Sequence, residues 1–319
     1  MKSYGPLFSN SASGGMSPCV TFSNRKSCQQ VRYQKKQKRN LPAVKQADCQ
    51  ALYRLIRIYW STLTTAQKLV YNNLAKTKTP KGSGYNYFFK EAVSSPFNYL
   101  GLVLYLSFNR NTQNKSFDLS KNGNVATLLP SYPINCPVNA VSKNKKMGNA
   151  LYFDGVDDRV IVTQNPFLNV GASDFSFGLF VKPSKSVGGY DMVFSKGSDA
   201  LPDRGFDIEL GTGAWTVNFS NTTQTYQRVF SSVPLNNVWS HLFCTVNFST
   251  MLIHIYLNGV GVGSGFSFVG NFASSFNLGL GCRFDSGGYF FNGLIDEVMI
   301  FNRCLTSSEI LKIYNAYAF

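Results

Sequence analysis

The chain has 319 residues and carries 31 Lys and Arg against 16 Asp and Glu, a formal charge of +15. That length buries a full core and leaves room for more than one domain. Aromatic residues at 15% and charged residues at 15% describe a β-rich, weakly charged body, not a helical or disordered one.

The charge is unevenly divided. Residues 1–100 hold 16 Lys and Arg and 2 Asp and Glu, or +14, which leaves +1 of the total +15 for residues 101–319. Residues 1–46 are rich in Ser, Gly, Asn, Gln, Lys and Arg, and Arg32, Lys35, Lys36, Lys38 and Arg39 form the densest charge run. Such a segment buries too little apolar area to fold alone. It reads as a basic extended arm, either a solvated tail or an anchor that orders on an acidic partner. Val20, Phe22, Val31 and Tyr33 alternate loosely with polar residues, a pattern suited to adding a strand to a partner's sheet edge.

Residues 47–96 read as a small three-helix module. Leu52, Leu55, Ile56 and Tyr59 fall at i, i+3, i+4 and i+7 on one helix running from Lys45 to about Tyr59. A second helix starts after Thr64, with Gln67 completing a capping pair, and carries Leu69, Val70 and Leu74. A third follows Gly82-Ser83-Gly84 and shows Tyr85, Phe88, Phe89 and Val93.

From residue 97 to 319 the pattern becomes β. Leu100 to Phe108 is a dense apolar run, 110–148 reads as a long polar surface excursion, and Asp154-Gly155 turns a hairpin that returns as Arg159 to Thr163. Strand-like runs then recur at about 174–182, 191–195, 205–210, 214–219, 226–231, 238–248, 251–258, 276–281 and 289–301. Thr306-Ser307-Ser308-Glu309 is a capping box that opens a last helix from Ser307 to about Ala316. Seven cysteines, odd in number and without CxxC spacing, argue against a disulfide framework or zinc site and fit folding in a reducing compartment. Neither an export signal nor a membrane span is expected.

Several pieces in order resemble the laminin G-like branch of the concanavalin A-like lectin/glucanase superfamily. They are Gly148-Asn149-Ala150-Leu151 with Phe153-Asp154-Gly155, Phe175-Ser176-Phe177 leading to Val181-Lys182-Pro183, Ser195-Lys196-Gly197, Trp239-Ser240-His241, Tyr256-Leu257-Asn258-Gly259, and Asn292 through Val298 with Asn302-Arg303. The resemblance implies a mainly β, two-sheet jelly-roll sandwich. Upstream, Trp60-Ser61-Thr62-Leu63-Thr64 with Gln67-Lys68, and Ser83-Gly84-Tyr85-Asn86 with Phe88, resemble a module of tailed-phage structural proteins. The same pattern is loosely similar to an HMG box, an L-shaped helical DNA binder.

The superfamily includes glucanases, whose retaining hydrolysis needs paired carboxylates. The nearest match to its Glu-x-Asp-x-Glu strand is Gly205-Phe206-Asp207-Ile208-Glu209, which lacks the first Glu and reads as the outward polar face of an amphipathic strand. The expectation is therefore a protein that is not an enzyme. His241 and His254 read as packing residues. Asp154 and Asp296 are candidate ligands for Ca2+, which laminin G-like domains sometimes hold through hard oxygen donors, with Asp157 and Asp158 close in sequence. Tyr190, Trp215, Tyr226 and Tyr289 lie near turns or on polar-alternating strands, where exposed rings stack on sugars.

Together these features imply a phage virion structural protein of decoration or fibre type. The basic region would anchor it to other virion proteins such as the capsid shell, and the sandwich would display a glycan-binding surface toward host-surface or environmental glycans. It would fold in the host cytoplasm and reside on the virion surface without a membrane, as a monomer or homo-oligomer. The alternative is an intracellular carbohydrate-binding protein with a nucleic-acid-binding arm.

Overall fold

The structure, a computed structural model, describes residues 15–17, 20–21, 43–77, 82–94, 100–112, 114–130, 136–143, 148–184, 190–197, 205–211, 214–223, 225–229, 236–283 and 288–318. The chain divides into two compact units, Met1–Leu100 and Gly101–Phe319. Arg32, Lys35, Lys36, Lys38 and Arg39 lie outside the described residues. Of the arm before them, a short antiparallel pair is described, β1 (Gly15–Ser17) and β2 (Val20–Thr21).

The first unit holds α1 (Ala43–Thr62), α2 (Thr65–Lys76) and α3 (Gly84–Ser94). Leu52, Leu55 and Ile56 on α1 are buried as their spacing predicts, and Thr64 and Gln67 form the reciprocal capping box at the start of α2. The aliphatic residues of α2 are not its packing face. Leu69, Val70 and Leu74 are exposed, and the helix turns Tyr71 and Ala75 inward instead. Rings decide this rotation: Trp60 stands 5.8 Å from Tyr71, 5.5 Å from Tyr85 and 5.3 Å from Phe88, so one aromatic cluster fills the space between the helices. Gly84 lets α3 approach α2, since a Cβ there would lie 2.2 Å from Asn72 Oδ1, the atom that accepts the Gly84 amide at 3.0 Å.

The second unit is mainly β. Its strands are β3 (Leu102–Thr112), β4 (Lys115–Asp118), β5 (Val125–Leu129), β6 (Val138–Val141), β7 (Asn149–Asp154), β8 (Arg159–Val162), β9 (Phe175–Pro183), β10 (Asp191–Gly197) and β11 (Gly205–Gly211). There follow β12 (Ala214–Ser220), β13 (Thr225–Val229), β14 (Ser240–Asn247), β15 (Leu252–Leu257), β16 (Val260–Ser267), β17 (Leu278–Leu280) and β18 (Asn292–Phe301), then helix α4 (Ser307–Ala318). The excursion expected over 110–148 is corrected: it contains β4, β5 and β6, whose Lys, Asn, Ser and Thr hide the strand alternation.

Hydrogen bonding joins the strands in the order β13-β12-β11-β10-β17-β8-β5-β4-β3-β18-β9-β14-β15-β16, with β7 and β6 branching from β18. The path folds back on itself. Phe177 on β9 lies 5.1 Å from Phe194 on β10, 4.6 Å from Phe206 on β11 and 6.0 Å from Phe219 on β12, although β9 is far from those strands along the sheet. Two β layers therefore enclose an aromatic core, as in a jelly-roll sandwich. Gly178 brings β9 against β14, because a Cβ there would lie 2.1 Å from Phe243 Cδ2. The α4 capping box forms as the sequence predicts: Thr306 Oγ1 accepts from the Glu309 amide at 3.2 Å, and Glu309 Oε2 accepts from the Thr306 amide at 2.9 Å. Among the described residues no helix is long and apolar enough to cross a membrane.

Candidate functional site

The four expected aromatic residues occupy three environments. Trp215 is corrected to a core residue, 1% exposed; on β12 it alternates with Thr216 and pairs with Leu210, so it shares the inward face with Val217 and Phe219. Tyr226 on β13 is partly buried, and its hydroxyl accepts from the Val269 amide at 2.9 Å while its ring meets Phe272 edge-on at 6.0 Å. Its polar end is thereby tied to the segment after β16.

Tyr190 and Tyr289 are brought together. They are 54% and 49% exposed, and their rings meet at right angles, with centroids 6.4 Å apart and planes at 82°. Backbone pairing explains the meeting, since the Met192 amide donates to the Tyr289 carbonyl at 2.8 Å and Met192 bridges Phe290 in parallel. Tyr289 holds a left-handed backbone, φ 58°, where a bulky residue is an outlier. The Arg283 guanidinium lies 6.0 Å from the Tyr289 ring centroid.

Asp191, beside Tyr190, was not singled out in the sequence. It is 7% exposed, its Oδ2 has no hydrogen-bond partner among the described residues, and burial pushes its carboxyl up to about 6. The missed signal is positional: a carboxylate opening an apolar strand, Asp191-Met192-Val193-Phe194.

The expected calcium pair is not formed. Asp154 pairs in register with Asn292, whereas Asp296 lies four residues further along β18 and pairs with Phe180, so about 13 Å of strand separates them. Asp296 is fully buried and accepts from the Ser142 hydroxyl, with its Oδ1 taking the Glu297 amide at 2.8 Å. Asp154 instead gathers Asp157 and Asp158, whose carboxylate oxygens lie within 4.8 Å of one another. There Asp154 Oδ1 accepts from Val156 N at 2.8 Å, and Asp158 Oδ2 accepts from Asp154 N at 3.0 Å. These carboxylates close their own turn. Burial raises Asp158 to about 6, assisted by the charges of Asp154 and Asp157 against the lowering hydrogen bond of the Asp154 amide.

Asp207 and Glu209 share one face of β11, as alternation requires, but that face is not open. They are 2% and 4% exposed, and Asn218 Nδ2 donates to Asp207 Oδ1 at 2.8 Å. His241 is 1% exposed among Phe180, Phe243 and Tyr314, and burial with the nearby Lys143 charge lowers it to about 3, which keeps it neutral.

No curated protein matches the sequence. The binding domain of Paraclostridial Mosquitocidal Protein 1 is similar in fold, with TM-score 0.54 and 17% identity over 68% of this chain and 52% of that one. The Botulinum Neurotoxin Type G receptor binding domain gives 0.51 and 13% over 67% of this chain and 51% of that one. The chain thus spans about half the length of these toxin domains. Domain 4 of AbnA, an extracellular arabinanase from Geobacillus stearothermophilus solved with arabinotriose, gives 0.52 and 21% over 67% of this chain and 98% of that one. A laminin G-like family model matches residues 154–311, which accordingly form a domain of the Concanavalin A-like lectin/glucanases superfamily.

Proposed function

We propose that the protein is a non-enzymatic structural protein of a phage virion, of decoration or fibre type, whose sandwich binds glycan at the Tyr190–Tyr289 edge. The observation that carries the binding site is the exposed right-angled tyrosine pair, 6.4 Å between centroids. One ring offers a face to the apolar side of a pyranose while the other walls it laterally, and phenol hydroxyls remain at the rim for sugar hydroxyls. Support for a sugar ligand comes from the fold shared with an arabinotriose-bound module. The virion reading rests on the +14 carried by residues 1–100 and on the resemblance of the helical module. An outward position on the virion, with the basic region against the shell, follows from that charge division.

A glycan array on the full chain, with Tyr190→Ala and Tyr289→Ala alongside, tests the site. Each variant is expected to lose roughly tenfold in affinity for the glycans retained by the parent, about 1–2 kcal/mol for one stacked ring, without a change in melting temperature. Retained binding in both variants overturns this placement. Particle attachment of a chain lacking residues 1–96 tests the virion role, and attachment that survives the deletion refutes it.

A further inference from the structure

The segment 268–277 carries the chain from β16, at one end of the sheet path, to β17 between β10 and β8. It is a crossover between strands of the two layers, and side chains hold it at several points. Asn221 Nδ2 donates to the Val269 carbonyl at 2.7 Å, Tyr226 meets the Val269 amide, and the Phe272 amide donates to the Gly171 carbonyl at 2.8 Å. The deepest hold is Lys196 on β10. Its side chain is 0% exposed, and Nζ donates to the Ser274 carbonyl at 2.7 Å and the Phe276 carbonyl at 2.6 Å.

Two neutral acceptors match the donors of a neutral amine. An ammonium has three N–H groups and a full charge, and here it would find two carbonyls and no water-exposed surface. Among the described residues, burial alone shifts the Lys196 amine and no neighbouring charge compensates it. Lys196 pairs with Phe206 on β11 and Leu278 on β17, both apolar, while Asp207 pairs with Ser195 and so belongs to the opposite face of the sheet. The crossover offers Ser274 and Phe276, and neither titrates. Burial accordingly lowers Lys196 from 10.5 to about 7.

We propose that Lys196 makes the 268–277 crossover a proton-sensitive strap, closed over the neutral amine and loosened when that amine takes up a proton. Opening the strap hydrates the amine and returns it to the ordinary lysine range, so protonation favours the open form. As pH falls from 10.5 toward 7 the opening constant rises by up to about tenfold per pH unit, and below 7 it levels off. Because Val269 anchors the Tyr226 hydroxyl, a loosened strap also frees the edge strand β13.

Pulsed hydrogen exchange on the full chain between pH 6 and 9.5, corrected for intrinsic exchange, tests the strap. Protection of residues 269–277 is expected to rise with pH above 7 relative to β14, while Lys196→Met holds that ratio constant. A ratio independent of pH in the parent, or an unaltered slope in Lys196→Met, overturns the proposal. The Lys196 side-chain Cε resonance gives a second reading that needs no variant. A midpoint near 7 supports the strap, and one near 10.5 refutes it.

Discussion

On α2, Leu69, Val70 and Leu74 stand 53%, 58% and 40% exposed, whereas β10 and β11 are buried along their whole length, polar residues included. Three short helices offer each other only narrow stripes, and once Trp60, Tyr71, Tyr85 and Phe88 have filled the shared space, the aliphatic residues Leu69, Val70 and Leu74 of α2 stay exposed among the described residues. A central strand has two faces, and in the sandwich both are covered. Hydrophobicity therefore predicts burial well where every face is covered and poorly where one element supplies more apolar residues than its neighbours have room for.

The largest test of this contrast is Phe177→Ala. Phe177 touches Phe194, Phe206 and Phe219 across the two layers, so truncation is expected to cost the sandwich about 3–5 kcal/mol. Calorimetry should show the transition of the Gly101–Phe319 unit moving down while that of the helical unit stays in place.

A smaller effect should come from pH through Asp296. Burial, and then the Glu297 charge, raise this carboxyl well above its ordinary 3.8, against the lowering hydrogen bonds of Ser142 and the Glu297 amide. The folded state thus binds the proton more tightly than the unfolded chain. The resulting stability is fully present below pH 3.8 and is lost as pH rises through the folded-state value. Asp296→Asn should flatten the fall in melting temperature on going from pH 4 to pH 7; a parallel fall in the variant would rule this source out.

Smaller still are the α2 surface changes. Leu69→Ser and Leu74→Ser should each shift stability by no more than about 0.5 kcal/mol, measured by denaturant unfolding, whereas Leu55→Ala at a 3% exposed position should cost about 2–5 kcal/mol. Equal losses at the two kinds of site would erase the contrast between stripe and core. The smallest effect is expected from chelator. With Asp154 and Asp296 apart and the Asp154 turn satisfied by its own amides, EDTA should leave the melting curve unchanged.

Local regularities were legible in the sequence itself. The capping boxes at Thr64 and Thr306, the Asp154-Gly155 hairpin and the inward stripe of α1 depend on residues within a turn or two of one another, and all appear in the structure. The ordered pieces from Gly148 to Arg303 carried the sandwich for the same reason, since each is a short strand or turn with its own pattern. Long-range pairing was not legible. Strands β4 to β6 are stabilised by partners rather than by their own alternation, and the fate of each candidate side chain was set by register. Register turned Trp215 inward beside Leu210, set Asp296 opposite Phe180 and away from Asp154, and brought Tyr190 to Tyr289 across nearly a hundred residues. A one-residue slip exchanges the two faces of a strand, and only the assembled sheet selects between them.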